Sequence, residues 1–302
     1  IKMIQFLTTG KKLLFMNTAV ITTGGLGTRM LTFTKSNPKT MLPIYTKSDN
    51  SLSPPMFKPL IEHIFENLYD NGFRRFCIIV GSKTKSVIIN HLEPDSKFIK
   101  LLQSRNLPED KRFINALLKL YAKVKNCDIK WITQDAPNGF GDALLGAKNF
   151  VKNESFLLHA GDAYFEDYRF LKNFISMHEQ SDNISGSILI KKMNKLKGYG
   201  IAQTKKQKGE NIVINLEEKP KNPKSNQAIL PLYTFNPEIF NALKNTAKGY
   251  NKELQVTDAM MTLVKQEKKI LSYNYGNSKW FDIGHPDNYF NALTYSYKQN
   301  LV

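Results

Sequence analysis

The chain has 302 residues, 41% of them hydrophobic, enough for one large domain or two small ones with a sizeable core. No apolar run approaches the roughly 20 residues needed to span a bilayer, so no membrane partner is expected. The formal charge of +17 favours anionic partners, and without zinc-finger spacing, an RNA-binding aromatic motif or a long arginine run these are expected to be phosphorylated small molecules, not nucleic acid.

Residues 1–17 read as a leader, a candidate disordered segment, ahead of the folded unit; Lys11 and Lys12 interrupt the apolar stretch that a secretory signal requires, and Met16 is a candidate start. The two cysteines, Cys77 inside an apolar run and Cys127 with no neighbour in sequence, suit a reducing cytoplasm. Ala19-Val20-Ile21 predicts a buried strand. It runs into Gly24-Gly25-Leu26-Gly27-Thr28-Arg29, where three glycines let the backbone turn sharply and bring its N–H groups close to an anion, with the Arg29 guanidinium beside them. Pro38-Lys39 brings a second cation. Residues 45–55 read as a polar surface loop, 56–71 as an amphipathic helix stopped by Gly72, 75–80 as a strand, 85–92 as a helix and 94–125 as a helical hairpin.

Residues 128–133 predict a third strand, ending at Gln134 and a loop whose Gly139 precedes a helix over 142–150. The Gln134 amide offers a donor and an acceptor side by side, matching the imide edge of uracil or thymine. A strand over 155–160 ends in Gly161-Asp162; a carboxylate there suits either a Mg²⁺ ligand or a helix cap. A helix over 168–180, a strand over 185–191 and a hairpin tip at 207–210 follow. Glu218-Lys219-Pro220 alone would be an ordinary surface pair. A strand over 228–235 carries Pro231, a poor residue for a strand interior. Thr257 is a candidate helix cap, Asp258 either structural or functional, and Trp280-Phe281-Asp282-Ile283-Gly284 leads to a final helix over 287–298. The alternation of strands and helices predicts a doubly wound α/β sheet.

These strings, in this order, resemble the signatures of the sugar-1-phosphate nucleotidyltransferases from Thr18 to about Leu293. The form M-L-x-x-T-K-x-x-P-K-x-M-L-P at residues 30–43 is most similar to the bacterial and archaeal UTP–glucose-1-phosphate uridylyltransferase branch. The resemblance implies a Rossmann-like mixed sheet in a single domain over 18–302, with a nucleotide-binding half (18–165), an interwoven sugar-binding half (166–285) and a C-terminal helix. It implies Gly24, Gly25, Gly27, Thr28, Gln134 and Gly139 as nucleotide-binding residues and Gly200, Glu218 and Lys219 as sugar-binding ones. The Q-x-x-x-x-G spacing of Gln134 and Gly139 resembles the family's base-recognition loop, which implies that Gly139 leaves room for the ring. Arg29, Lys39 and Lys219 are the implied catalytic cations and Asp162 with Asp282 the implied Mg²⁺ ligands. The expected reaction joins UTP and glucose 1-phosphate into UDP-glucose and pyrophosphate, with dTTP in place of UTP as the alternative and a noncatalytic nucleotide-sugar-binding regulator as the reading from another class. Members of this family commonly assemble as dimers or tetramers, so a homo-oligomer is expected. The 45–55 loop is longer than in related chains, and a glycine commonly stands where Pro231 does.

Overall fold

The computed structural model describes residues 16–47 and 54–301. The proposed leader, apart from its last two residues, and the middle of the 45–55 loop lie outside the described residues.

The described strands are β1 (Thr18–Thr22), β2 (Pro43–Thr46), β3 (Met56–Pro59), β4 (Arg75–Gly81), β5 (Asp128–Gln134), β6 (Phe156–Ala160), β7 (Ala163–Phe165), β8 (Ile184–Lys192), β9 (Ile201–Gln207), β10 (Glu210–Glu217), β11 (Gln227–Phe235), β12 (Lys269–Asn274) and β13 (Trp280–Asp282). Nine of them form one sheet in the order β5-β4-β1-β6-β11-β8-β12-β10-β9. Strands β5, β4, β1 and β6 are parallel. Strand β11 is antiparallel between β6 and β8, and β12 is again parallel to β8, so the sheet is mixed as expected.

Apolar side chains alternate between its faces. Ala19 and Ile21 pack with Leu60, Ile64, Phe65 and Leu68 of the helix Leu60–Asp70 on one side, and Val20 packs with Leu144, Phe240 and Met260 on the other. Both faces bear helices because both faces of the strands are apolar, the defining condition of a doubly wound sheet. The chain passes from β1 outward to β4 and β5, then returns to β6 on the other side of β1. That reversal places the loops after β1 and β6 side by side at the C-terminal edge, where open α/β sheets bind ligands. Gly161 N–H donates to Thr22 O at 2.8 Å across this switch point.

Several boundaries differ from expectation for identifiable reasons. The helix expected over 56–71 begins only at Leu60. Residues Met56–Pro59 instead form β3, paired antiparallel with β2 from Pro43↔Pro59 to Thr46↔Met56, because the residue before a proline is driven out of the α region. Tyr45 and Thr46, read as loop, therefore belong to a ladder. The helical hairpin forms as Ser96–Arg105 and Asp110–Lys125, with the Asp95 side chain capping the first by accepting from Lys97 and Phe98 N–H. Pro231 does lie inside β11, and the register with β8 shifts between Leu230 and Tyr233. The bulge absorbs the missing N–H at a position that would otherwise break the ladder.

Candidate active site

The glycine-rich turn after β1 is held tightly. Gly27 has φ 62°, and a Cβ there would stand 2.7 Å from Thr34 Cγ2 and 3.1 Å from Lys39 Cγ. Only glycine fits that approach. Thr34 Oγ1 donates to Gly27 O at 2.9 Å, tying the turn to the following short helix. Beside the turn, Lys39 pairs with Asp162. The pair β7–β13, unforeseen in the sequence, sets Asp282 opposite Ala163, one residue past Asp162. Ile283 N–H donates to Asp162 O at 3.0 Å and Gly284 N–H to Asp282 Oδ1 at 2.8 Å. A Cβ on Gly284 would meet Asp282 Oδ1 and Lys39 Nζ at 2.9 Å and Asp162 Oδ2 at 3.3 Å, so these three side chains converge on one point.

The electrostatics of this cluster are asymmetric. Burial works against the Asp162 charge, but Lys39, with help from Arg29, outweighs it and holds the carboxyl below its ordinary pKa. Asp282 lacks an equal partner: burial first, then the Asp162 charge, raise its pKa despite the Gly284 N–H, Lys39 and Arg29. Lys39 is likewise disfavoured by burial, yet Asp162 and Asp282 together raise its pKa. Two crowded carboxylates with an incompletely compensated charge are what a hard divalent cation relieves. Among the described residues no group of three His, Cys, Asp or Glu side chains gathers to hold a metal. A cation here would complete its shell with oxygens from substrate.

Gln134 ends β5 and reaches the glycine turn: a Cβ on Gly24 would stand 2.8 Å from Gln134 Oε1. The sequence reading took the amide as a donor and an acceptor side by side; in the structure its donor end is engaged, Gln134 Nε2 donating to Asp142 Oδ2 at 2.8 Å and Gly139 O at 3.3 Å. The reason given for Gly139 is corrected. Its missing side chain, at φ 115°, admits the backbone of Leu254, whose O would lie 2.5 Å from a Cβ. Leu254 N–H donates to Asn138 O and Leu254 O accepts from Gly141 N–H, both at 2.8 Å, stapling the two loops together.

Glu218 and Lys219 follow β10. Lys219 Nζ lies 3.2 Å from Glu218 Oε1 and 4.9 Å from the Tyr250 ring centroid. Its backbone is left-handed at φ 47°, a strained conformation for a lysine that persists where surrounding structure enforces it. Thr257 is not the cap of its helix. Val256–Lys265 begins after Gln255, and Thr257 Oγ1 donates to Glu218 Oε2 at 2.7 Å. Gly200 lies against both, its Cβ position 3.2 Å from Glu218 Oε2 and 3.3 Å from Thr257 Oγ1. Burial and then Glu218 raise the pKa of Asp258 next along the helix.

All of Gly24, Gly25, Gly27, Thr28, Arg29, Lys39, Gln134, Gly139, Asp162, Gly200, Glu218, Lys219 and Asp282 line a single cleft of about 480 Å³. Tyr199, Tyr233, Glu253, Thr257 and Trp280 line it as well. None of these five was assigned a catalytic, binding or metal role from the sequence, although Tyr199, Glu253, Thr257 and Trp280 lie within strings that resemble the family's motifs, which was the available signal. Two lining groups are buried with no hydrogen-bond partner among the described residues: Thr40 Oγ1, beside Gly161, and Trp280 Nε1.

Similarity to known proteins agrees with this geometry. Residues 18–299 match the family model described as nucleotidyl transferase. A UTP–glucose-1-phosphate uridylyltransferase of Mycoplasma pneumoniae is 32% identical over 284 residues, covering 92% of this chain and 91% of that protein. UTP–glucose-1-phosphate uridylyltransferase 2 of Streptococcus pyogenes is 32% identical over 275 residues, covering 88% and 85%. The crystal structure of an apo UDP-glucose pyrophosphorylase superposes with a TM-score of 0.78 at 25% identity, over 94% of this chain and 99% of that one. One complexed with UDP-glucose gives 0.77 at 24%, over the same shares. A cleft at the switch point of a mixed sheet, lined by a glycine-rich turn, paired carboxylates and converging cations, and a family match over nearly the whole chain lead to one conclusion: this chain belongs to the nucleotidyl transferase family.

Proposed function

We propose that this protein transfers the uridylyl group of UTP to glucose 1-phosphate, releasing pyrophosphate and forming UDP-glucose. The observation that carries the reading is the gathering of Arg29, Lys39, Asp162 and Asp282 in the same cleft as Gln134 and the Glu218–Lys219 pair. Relatives over most of the chain named for this activity support it. In this reading the sugar phosphate oxygen, already an anion, attacks the α-phosphorus in line and needs no general base. The work left to the protein is positioning and charge neutralisation. Arg29 and the N–H groups of residues 24–28 hold the triphosphate and the departing pyrophosphate. Lys39 and Lys219 bring two mutually repelling phosphates together, Glu218 accepts from sugar hydroxyls, and Gln134 meets the base. Asp162 and Asp282 are the residues that would hold Mg²⁺, which when bound neutralises phosphate oxygens and orients the α-phosphate.

The same reading assigns a nucleotide half to residues 18–165, a sugar half to 166–285, a cytoplasmic location and a homo-oligomeric state. The cysteines suit that location: burial raises the Cys77 thiol to about 12 and that of Cys127 to about 11, and neither is in a disulfide. No helix among the described residues is long and apolar enough to cross a membrane. The test is pyrophosphate release with glucose 1-phosphate and Mg²⁺, comparing UTP, dTTP, CTP, GTP and ATP. UTP is expected to win clearly. A dTTP preference would move the protein to thymidylyl transfer, because one methyl is worth only about 1–3 kcal/mol in a pocket. Absence of release with every nucleotide and sugar phosphate would favour the noncatalytic regulator.

A further inference from the structure

The Gln134 amide sits between two spaces. Its oxygen faces Gly24 and the cleft, as the 2.8 Å approach of a Gly24 Cβ position to Oε1 shows. Its nitrogen faces Asp142, with Nε2–Oδ2 at 2.8 Å. Asp142 does not line the main cleft; it lines a second cavity behind Gln134, together with Ile79, Ile132 and Asn138. Both acceptors near Nε2, Asp142 Oδ2 and Gly139 O, are oxygens. An ionised carboxylate only accepts hydrogen bonds. Turning the amide over would put Oε1 against the Asp142 carboxylate, acceptor against acceptor, and leave both unsatisfied. No protein donor reaches Oε1 among the described residues, so the group shown to the cleft is an acceptor.

We infer that Asp142 is a positioning residue for base selection: it locks the Gln134 amide so that a carbonyl oxygen faces the base site, admitting pyrimidines that carry an N3–H and rejecting cytosine. Uracil and thymine both present an N3–H that Oε1 can accept. Cytosine carries its donor one position along the same edge, at the exocyclic N4 amino group, so in the pose that sets N3–H of uracil against Oε1 its bare N3 lone pair would meet Oε1, acceptor against acceptor, and a site whose polar group is left unpaired discriminates strongly. The carboxylate acts through Gln134 and touches no substrate. It also stands in the first turn of the helix Phe140–Gly146, where a negative charge favours the helix in any case, so the test needs a readout that helix stability does not move.

That readout is the ratio of dissociation constants for UTP and CTP, measured by calorimetry in the absence of sugar phosphate, for the unaltered protein, Asp142→Asn and Asp142→Ala. The inference rests on the uridylyl-transfer reading only in placing a base against Gln134, and binding separates the two. In the unaltered protein UTP is expected to bind at least on the order of 100-fold more tightly than CTP. Asp142→Asn, whose own amide can accept or donate, frees Gln134 to turn and should narrow that ratio on the order of 10-fold, mainly by tightening CTP. Asp142→Ala should narrow it in the same direction, and either variant suffices if the other does not melt cooperatively. Ratios unchanged in the folded variants would overturn the inference, as would a UTP/CTP ratio near one in the unaltered protein. Tight UTP binding without pyrophosphate release would instead count against the transferase reading and leave the role of Asp142 to be read from the ratios.

Discussion

Lys39 is the residue on which the charged cluster of the cleft turns. Its ammonium answers Asp162 directly and Asp282 at one remove, and those two charges keep it protonated although burial opposes it. Removing it would leave two crowded carboxylates with only Arg29 to offset them and, in the proposed reaction, would take one counter-charge from the substrate phosphates. Lys39→Ala and Asp162→Asn are each expected to lower turnover on the order of 1,000-fold while the chain still unfolds cooperatively, as pyrophosphate release and thermal melts would show. Near-normal turnover in both would refute these assignments. Thr257 offers a finer test. Its hydroxyl fixes one oxygen of Glu218 at 2.7 Å, and hydrogen bonds to charged groups contribute about 1.5–3 kcal/mol. Thr257→Val should therefore raise the KM for glucose 1-phosphate on the order of 10-fold with the affinity for UTP little changed; a parallel loss for both substrates would mean that the hydroxyl supports the fold instead.

At the scale of elements, the loop carrying Gly139 and the segment carrying Leu254 behave as one piece. Two backbone hydrogen bonds of 2.8 Å join them, and Gly139 makes the joint possible by having no side chain. Gly139→Ala would place a methyl 2.5 Å from Leu254 O in a backbone of φ 115° that alanine resists. It should cost about 2–4 kcal/mol of stability, read from denaturant midpoints, and should weaken both substrates together because the loop before Asp142 and the segment before Thr257 move apart. The helix starting at Leu60 in place of Met56 is a lesson at the same scale. Residues 56–59 have an apolar pattern that suits a helix turn, and only the partner strand Pro43–Thr46 makes them a ladder. The hairpin tip at Lys208-Gly209 shows the opposite case: both residues have positive φ, 48° and 86°, as a two-residue hairpin turn requires, and it was legible without any partner.

For the whole molecule, the pH lever on the acid side is a set of three histidines, His159 and His178 buried and His63 partly so. Burial lowers His63, His159 and His178 to about 4 each from an ordinary value of 6.5. His159 is wedged between Tyr168 and the Ala160 carbonyl, and His178 between Ser187 and Asn236. The unfolded chain binds protons at these positions below pH 6.5 while the folded chain does not until about pH 4. Their contribution is thus fully present above pH 6.5 and is lost as the pH falls towards 4, on the order of 3 kcal/mol per histidine at most. The melting temperature should fall steeply between pH 6.5 and 4, and His178→Gln should flatten that slope even if it lowers stability at neutral pH. A melting temperature independent of pH over this range would overturn the assignment.

The candidate site was legible because its parts are short strings whose residue types are dictated locally: glycines where the chain turns sharply, a lysine after a proline, carboxylates just past buried strands. Apolar alternation likewise revealed most strands and the helices that cover both faces. Sequence distance hid everything that depends on which strings meet. Asp162 and Asp282 are neighbours only because β13 pairs with β7, and Thr257 reaches Glu218 only because its helix packs behind β10. The partner of the Gln134 amide depends on how the loop folds back on itself, and the space at Gly139 was taken by a segment more than a hundred residues away. Local backbone preference and side-chain chemistry determined the parts from the sequence alone, whereas long-range strand pairing and close packing, which no local pattern encodes, decided how those parts face one another.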